Sequence, residues 1–382
     1  MLRKLMTVAG SALLISSLVA CGSAALDKET GSLPEVEVKP VADEVNQQQQ
    51  QSDKAGDVIT QEEAKIKFQL EKPEFKQLLE MMKPGPIVPG LAQDLIPQGL
   101  DYIAEKDWFI ISHYRAGGGP SVLSFVDAKT GEMVEYFHLY DEKGEAYKGH
   151  AGGVAVSKKH AWISSESCLY QIKLDDIYAG DSGSKLRFSG RIETDTRASF
   201  DAFADGVLWV GEFAHGMDYP VSKEHRMTNR DGVEHNAWIA GYKLEEETDM
   251  LVGERQKKKP ARPDYILSVT DRIQGIELLE DRIILSQSFG RNNGSEIYLH
   301  KNILRDKPHA QVVIDGAEVP VWFLDEQNLI SKLEGPPMSE SAIVVDNAMY
   351  ILFESAADKY RDSGSYPLDR IQIVELDKLP AK

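Results

Sequence analysis

A three-strand outline that returns along the chain constrains its fold more than any single motif does. It is first met over Pro97–Gly131, where Gly99–Ile103, Trp108–His113 and Val122–Asp127 read as short strands divided by a charged turn and a Gly-rich loop. The same outline recurs at Gly152–Leu174, Asp201–Leu244, Gln274–Leu299 and Glu340–Leu376. The second strands are the plainest: Trp108-Phe-Ile-Ile, Ala161-Trp-Ile, Val207-Leu-Trp-Val, Arg282-Ile-Ile-Leu and Met349-Tyr-Ile-Leu-Phe. One all-strand unit repeated at a period of about 40–50 residues is the pattern of a β-propeller. The expected fold class is therefore all-β, a single propeller of five blades. Six blades is the alternative, because Val319–Leu324 and Leu329–Leu333 are extra strand-like runs.

Fourth strands are expected at Met133–Leu139, Leu186–Ile192, Tyr265–Val269 and Ala310–Ile314. The fifth repeat lacks one, so the ring should close with a strand from near the N-terminus, Lys65–Leu70 or Ile87–Leu91. Two insertions break the period, Ala214–Asn236 and Glu245–Asp264. The second carries Lys257-Lys-Lys259 and reads as a solvated loop.

Ahead of the repeats the chain divides into three parts. Residues 1–20 have a basic start and an apolar stretch placed like a signal peptide, and Leu18-Val19-Ala20-Cys21 closely resembles the bacterial lipobox. That resemblance implies cleavage before Cys21, lipidation of its thiol and acylation of the new N-terminus, for example with palmitate. Residues 21–58 form a lipidated, disordered tether rich in Glu, Gln, Val and Pro, with a reach of roughly 35 Å. Residues 59–96 are a helical lead-in: Thr60-Gln-Glu-Glu63 has capping-box spacing, and Pro73–Met82 is a second candidate helix with an apolar stripe. Residues 97–382 are the propeller. The expected location is the cell envelope, anchored to the outer membrane or the outer face of the plasma membrane.

A net charge of −18 repels nucleic acid and anionic headgroups, which excludes both as partners. With only Cys21 and Cys168 present, lipidation of the first leaves no disulfide, and Cys168 reads as a small buried hydrophobe.

Chemistry is sought at one face of the ring, where the loop leading into each inner strand meets the loop after each second strand. Blade by blade these corners carry Gln98 with His113, His150 with Glu166, Asp201 with Glu212, Gln274 with Gln287, and Glu340 with Glu354. Polar groups converging on a channel mouth suit a ligand. Glu166, Asp201, Glu212, Glu340 and Glu354 are candidate oxygens for Ca²⁺, which takes six to eight of them. Arg115, Arg291 and Arg361 each follow a second strand and suit a carboxylate or phosphate. Together with Gln98, His113, His150 and Gln274 they form the candidate ligand-binding set. Candidate bases are His150, His113 and His215, the last on an insertion that also holds His225 and His235. Their spacing matches no zinc motif, and no nucleophile elbow, phosphate loop or dinucleotide fingerprint is present.

Pro97-Gln-Gly-Leu100, Val126-Asp-Ala-Lys-Thr-Gly131 and His150-Ala-Gly-Gly-Val-Ala-Val156 resemble exported propellers of the gluconolactonase/strictosidine-synthase-like superfamily. The resemblance implies Ca²⁺ on the axis held by Glu, Asn and Asp, lactone or ester hydrolysis, and six blades; the corners here lack the Asn pair. The expectation is a monomeric, lipid-anchored propeller that binds a small molecule, glycan or envelope protein at an acidic, His-bearing mouth, with Ca²⁺. The alternative is a metal-dependent hydrolase.

Overall fold

The computed structural model describes residues 57–253 and 260–380. Signal segment, Cys21 and nearly all the tether lie outside the described residues, as does Lys257-Lys-Lys259. Among the described residues no helix is long and apolar enough to cross a membrane.

Five antiparallel blades form the ring. Blade 1 comprises Leu95–Ile103, Trp108–Arg115, Val122–Asp127 and Met133–Tyr140, and blade 2 Gly153–Val156, His160–Ser165, Cys168–Lys173 and Gly190–Glu193. Blade 3 is built on Phe200–Ala204, Val207–Gly211, Ala237–Lys243 and Tyr265–Val269. Blade 4 comprises Ile273–Leu278, Arg282–Gln287, Ser295–Lys301 and Leu329–Gly335. Blade 5 comprises Ser339–Val345, Ala348–Phe353 and Arg370–Glu375, and its outer strand, Lys83–Ile87, comes from the lead-in. The five inner strands touch in cyclic order, blade 5 against blade 1.

Each blade buries both faces, so each neighbouring pair encloses its own apolar core. Phe125, Phe137 and Ile163 fill the layer between blades 1 and 2; Trp162, Leu208 and Tyr242 that between 2 and 3; Trp209, Ile239 and Leu285 that between 3 and 4. Ile284, Leu299 and Phe353 fill the next layer, and Phe109, Ile111 and Leu352 the one that completes the circle. Inner strands are further latched by polar side chains. Asp101 accepts from Val156 N at 2.6 Å, Ser164 Oγ donates to Asp201 at 3.0 Å, and Ser341 Oγ donates to Gln98 O at 3.3 Å.

Four expectations are corrected. The closing strand is Lys83–Ile87, antiparallel to Arg370–Glu375, and neither Lys65–Leu70 nor Ile87–Leu91 serves. Ala310–Ile314 does not complete blade 4: it turns at Asp315-Gly316, both at positive φ, into a hairpin with Ala317–Phe323, which extends blade 3 by a parallel pairing. Leu329–Gly335 takes the vacated position, so both extra runs are absorbed and no sixth blade forms. The run Leu186–Ile192 is split, Lys185–Arg187 joining the edge of blade 1 and Gly190–Glu193 that of blade 2. No helix forms at Thr60. Gln61 there spends its amide on the backbone, donating to Ile87 O and Gly131 O at 2.8 Å each and accepting from Met133 N at 2.7 Å. The second lead-in helix does form, a 3₁₀ turn Pro73–Phe75 running into Lys76–Met81, with Phe75 and Leu78 buried. Cys168 is a buried free thiol, its pKa raised by burial.

The close approach of inner strands sets the first prediction. A Cβ on Gly153 would collide with Asp201 Oδ1 and stand 2.6 Å from Ser164 Oγ. Gly153→Ala should lower stability by about 2 kcal/mol, read as a lower urea midpoint at unchanged slope.

Candidate functional site

The floor of the mouth is a pair of carboxyls. Glu340 lies on the inner strand of blade 5 and Glu354 follows that blade's second strand, so ring geometry points both at the axis. They hydrogen-bond to each other, and each carries a glutamine amide on its far side. Gln98 Nε2 donates to Glu354 Oε2 at 3.0 Å, and Gln274 Nε2 donates to Glu340 Oε1 at 3.2 Å. Burial, then the facing Glu354, holds the Glu340 carboxyl well above the usual carboxylate range. Burial pushes Glu354 up to about 7, against the opposing pull of Gln98, Lys359 and Arg291. Two like charges this close cannot both ionise, so the pair keeps a proton at neutral pH.

Above this floor opens a cleft of about 770 Å³. Its wall is aromatic: Tyr114 stacks on His150 at 4.4 Å, its hydroxyl meets that of Tyr360 at 2.9 Å, and Phe213, Tyr219 and Phe289 stand opposite. The low-dielectric surroundings, then Lys359, hold His150 down at about 4, so its ring is neutral. Arg197, Arg291, Lys359 and Glu166 supply the charged part of the lining. The backbone around the mouth is strained. Ala151, Ala198, Arg272 and Met338 lead into four inner strands at φ of 47°, 50°, 62° and 68°. Non-glycine residues in this region cost about 1–3 kcal/mol each, and such strain gathers at functional sites.

Six of the expected corner residues therefore share one cleft: Gln98, His150, Glu166, Gln274, Glu340 and Glu354, with Arg291 beside them. The other candidates lie elsewhere. His113 is fully buried inside blade 1, held at 2.8 Å from Ser124 Oγ, and burial lowers it to about 3. Arg115 pairs with Asp94 at 2.5 Å, and Arg361 with Asp358 at 2.6 Å. Gln287 donates to Asp271 O at 2.6 Å beside a separate cavity. His215 is not part of the lining and stacks on Phe289 at 3.9 Å.

Of the five carboxylates expected to cage Ca²⁺, Glu166, Glu340 and Glu354 line the cleft and Asp201 and Glu212 do not. Glu212 is committed to His225 Nδ1 at 2.8 Å and Trp238 N at 3.0 Å, Asp201 to Ser164, and Glu340 and Glu354 to each other and their glutamines. Among the described residues no group of three or more His, Cys, Asp or Glu is placed to hold a metal ion.

Two further carboxyls on the inner strands, Asp101 and Glu277, were not anticipated, and they share their buried setting with the expected Asp201. Burial raises Asp101 to about 7 against the pull of the Val156 and Tyr102 backbone N–H groups. Burial, then the charge of Asp101, raises Glu277 to about 8. Burial holds Asp201 well above its usual range against the hydrogen bond from Ser164. Asp101 and Glu277 each accept from the backbone of the next blade, at Val156 N and Val344 N. They act as latches between blades.

The insertion spanning 214–236 lies over blade 3 and is pinned at two points. His225 donates from Nδ1 to Glu212 and from Nε2 to Asp195 at 3.4 Å, and stacks on Trp238 at 4.1 Å. Burial alone would lower its pKa, but Asp195 and Glu212 push it up to about 9, so it stays an imidazolium. Arg230 grips the buried Asp325 with Nε at 2.8 Å and Nη2 at 2.5 Å. Tyr219, on the same insertion, lines the cleft, paired with His215 through the backbone and edge-on to Phe213.

Sequence reasoning missed Tyr114, Arg197, Tyr219, Phe289, Lys359 and Tyr360. The signal for the first was strand alternation: in Ser112-His-Tyr-Arg115, His113 and Arg115 share one side of the sheet, so the tyrosine between them faces the other.

No family model matches the chain, and no curated protein matches it in sequence. Solved structures give distant likenesses. Hydrazine synthase of Kuenenia stuttgartiensis is 9% identical over 68% of this chain and 56% of its own, with a TM-score of 0.32. Glutaminyl cyclase of Myxococcus xanthus is 10% identical over 77% and 92%, TM-score 0.34. The Dos1 propeller is 7% identical over 73% and 57%, TM-score 0.25. The chain thus spans little more than half the length of the hydrazine synthase chain.

The raised carboxyls make stability pH-dependent with a defined sign. Between its unfolded pKa of 4.5 and its folded value of about 7, Glu354 holds a proton that the unfolded chain has lost, so stability falls as pH rises. The histidines with lowered pKa act oppositely, but only below 6.5. The urea midpoint should therefore drop between pH 6.5 and 8, and Glu354→Gln should reduce the drop. An unchanged dependence in the variant would show that Glu354 takes up no proton on folding.

Proposed function

We propose that this chain is a lipid-anchored, extracytoplasmic propeller that binds a small-molecule ligand in the cleft at the mouth of its ring. The observation that carries the reading is the carboxyl pair Glu340–Glu354, flanked by Gln98 and Gln274, at the base of a cleft of about 770 Å³ with aromatic walls. A cleft of that size with a few convergent polar groups is what small-molecule sites require. Burying four polar side chains on an axis that apolar residues could fill is costly unless they serve a ligand.

Thermal unfolding against a panel of sugars, amino acids, carboxylates and amines tests this. A ligand at 100 times its Kd should raise stability by about 2.7 kcal/mol. Tyr114→Ala and Glu354→Gln should each weaken it by about tenfold or more, roughly one lost contact. A ligand whose affinity both variants leave intact binds elsewhere, and the reading fails. EDTA should leave the midpoint unchanged; a rise on adding Ca²⁺ would restore the cation-bound alternative.

A second reading has one observation in its favour. A carboxyl pair sharing a proton near pH 7 is suited to general acid–base work, with Glu354 as base and Glu340 as acid. Turnover of a lactone or ester that Glu354→Gln abolishes, with binding retained, would establish a hydrolase.

The anchor rests on Leu18-Val19-Ala20-Cys21. Cys21→Ser should move the protein from the detergent phase to the aqueous phase, and a variant that still partitions into detergent would refute lipidation.

A further inference from the structure

The charge of the cleft is opposite to that of the chain. The chain carries −18, yet the lining presents three cations, Arg197, Arg291 and Lys359, against the Glu166 carboxylate and a floor pair that shares one proton. Among the described residues, none of these three cations has a carboxylate within ion-pair distance. Each is held by neutral groups instead. Arg291 donates to Ser363 Oγ at 2.7 Å with its guanidinium 4.8 Å over Tyr360. Lys359 donates to the Tyr114 hydroxyl at 3.2 Å and stands 5.0 Å over Tyr360. Arg197 donates to Pro220 O at 3.0 Å on the insertion. Nearby arginines behave differently: Arg115, Arg230 and Arg361 all have Asp partners. Three cations thus line one recess with no carboxylate in ion-pair contact among the described residues, Lys359 and Arg291 acting only at longer range on Glu354. Cations gathered at the rim of a recess focus an attractive field on anions.

The rest of the lining narrows the anion. Aromatic faces at Tyr114–His150 and Tyr360 suit the flat, C–H-bearing face of a ring. Gln98 and Gln274 spend their amide nitrogens on the carboxyl pair and leave their carbonyl oxygens to accept from hydroxyls. The volume exceeds what a simple inorganic anion needs and falls in the range of drug-sized ligands. Resting on the cleft being the ligand site, we infer that its ligand is a polyhydroxylated carboxylate, a sugar acid or short oligomer of one, with its carboxylate at Arg197, Arg291 and Lys359 and its hydroxyls on the glutamine and carboxyl floor.

Calorimetric titration of residues 21–382 with digalacturonate, its dimethyl ester, maltose and inorganic phosphate tests this at low and high salt. Digalacturonate should bind, its ester about tenfold or more weaker, the size of one charge-assisted contact. Added salt should weaken the acid more than the ester. Arg197→Gln with Arg291→Gln and Lys359→Gln, all at exposed positions, should bring the acid down to the affinity of the ester. The triple variant's unfolding midpoint checks that it folds. Equal affinity for acid and ester, or an acid indifferent to the triple variant, overturns the ligand class while leaving the cleft as the site. Phosphate binding as tightly as digalacturonate overturns it in favour of a plain anion site. No binding by any probe also overturns it, and the wider panel above then decides separately whether the cleft binds anything.

Discussion

Closure of the ring is the constraint on which everything else in this molecule depends. A blade is a twisted sheet with two apolar faces, and each face is buried only if a neighbouring blade covers it. A row of blades would leave two faces and a strand edge bare. The pairing of Lys83–Ile87 with Arg370–Glu375 finishes blade 5 with chain from before blade 1, and the core around Phe109, Ile111 and Leu352 then covers the last bare face. That seam joins segments nearly 300 residues apart, so its loop-closure entropy is large and must be offset by burial on both sides.

The same closure creates the site. Bringing inner strands from five directions to one axis leaves a narrow channel whose lining positions face one another across a few side chains. Carboxyls there can stay only if they are neutral or bonded. Asp101 and Glu277 settle this by accepting backbone hydrogens across blade boundaries, and Glu340 and Glu354 by sharing a proton between glutamine amides. Latch and binding floor are one solution to the same desolvation problem at different depths. The pair at the mouth differs because a solvent-filled cleft opens above it, so its proton and its hydrogen-bonding atoms can meet a ligand.

The insertion over blade 3 shows how an exposed loop becomes part of a wall. Its two anchors are both charged, an imidazolium between Glu212 and Asp195 and a guanidinium on Asp325, and both reach into buried surroundings where water competes poorly. Glu212 and the insertion histidines therefore serve positioning. Tyr219, on the same insertion, lines the cleft.

Most of the architecture could be read from the chain before folding. Blade number, the second strands and the mouth corners follow from local alternation and turn chemistry, which depend only on neighbours in sequence. Gln98, Gln274, Glu340 and Glu354 were legible for that reason, since each sits at a strand end that the repeat fixes. The sequence could not decide which partner each polar group would choose. Ala310–Ile314 and Leu329–Gly335 are equally good strands, and only packing gave the first to blade 3 and the second to blade 4. Glu212 and Glu354 are equivalent corners, yet an insertion supplied a cation to one and ring geometry a second carboxyl to the other. Tyr114, Arg197 and Lys359 come from different blades and loops, and their meeting is a fact of long-range contact. Local pattern determined that there would be a ring with a polar mouth; the tertiary structure decided which charges there are paired and which are not, because pairing depends on distances that only the closed ring sets.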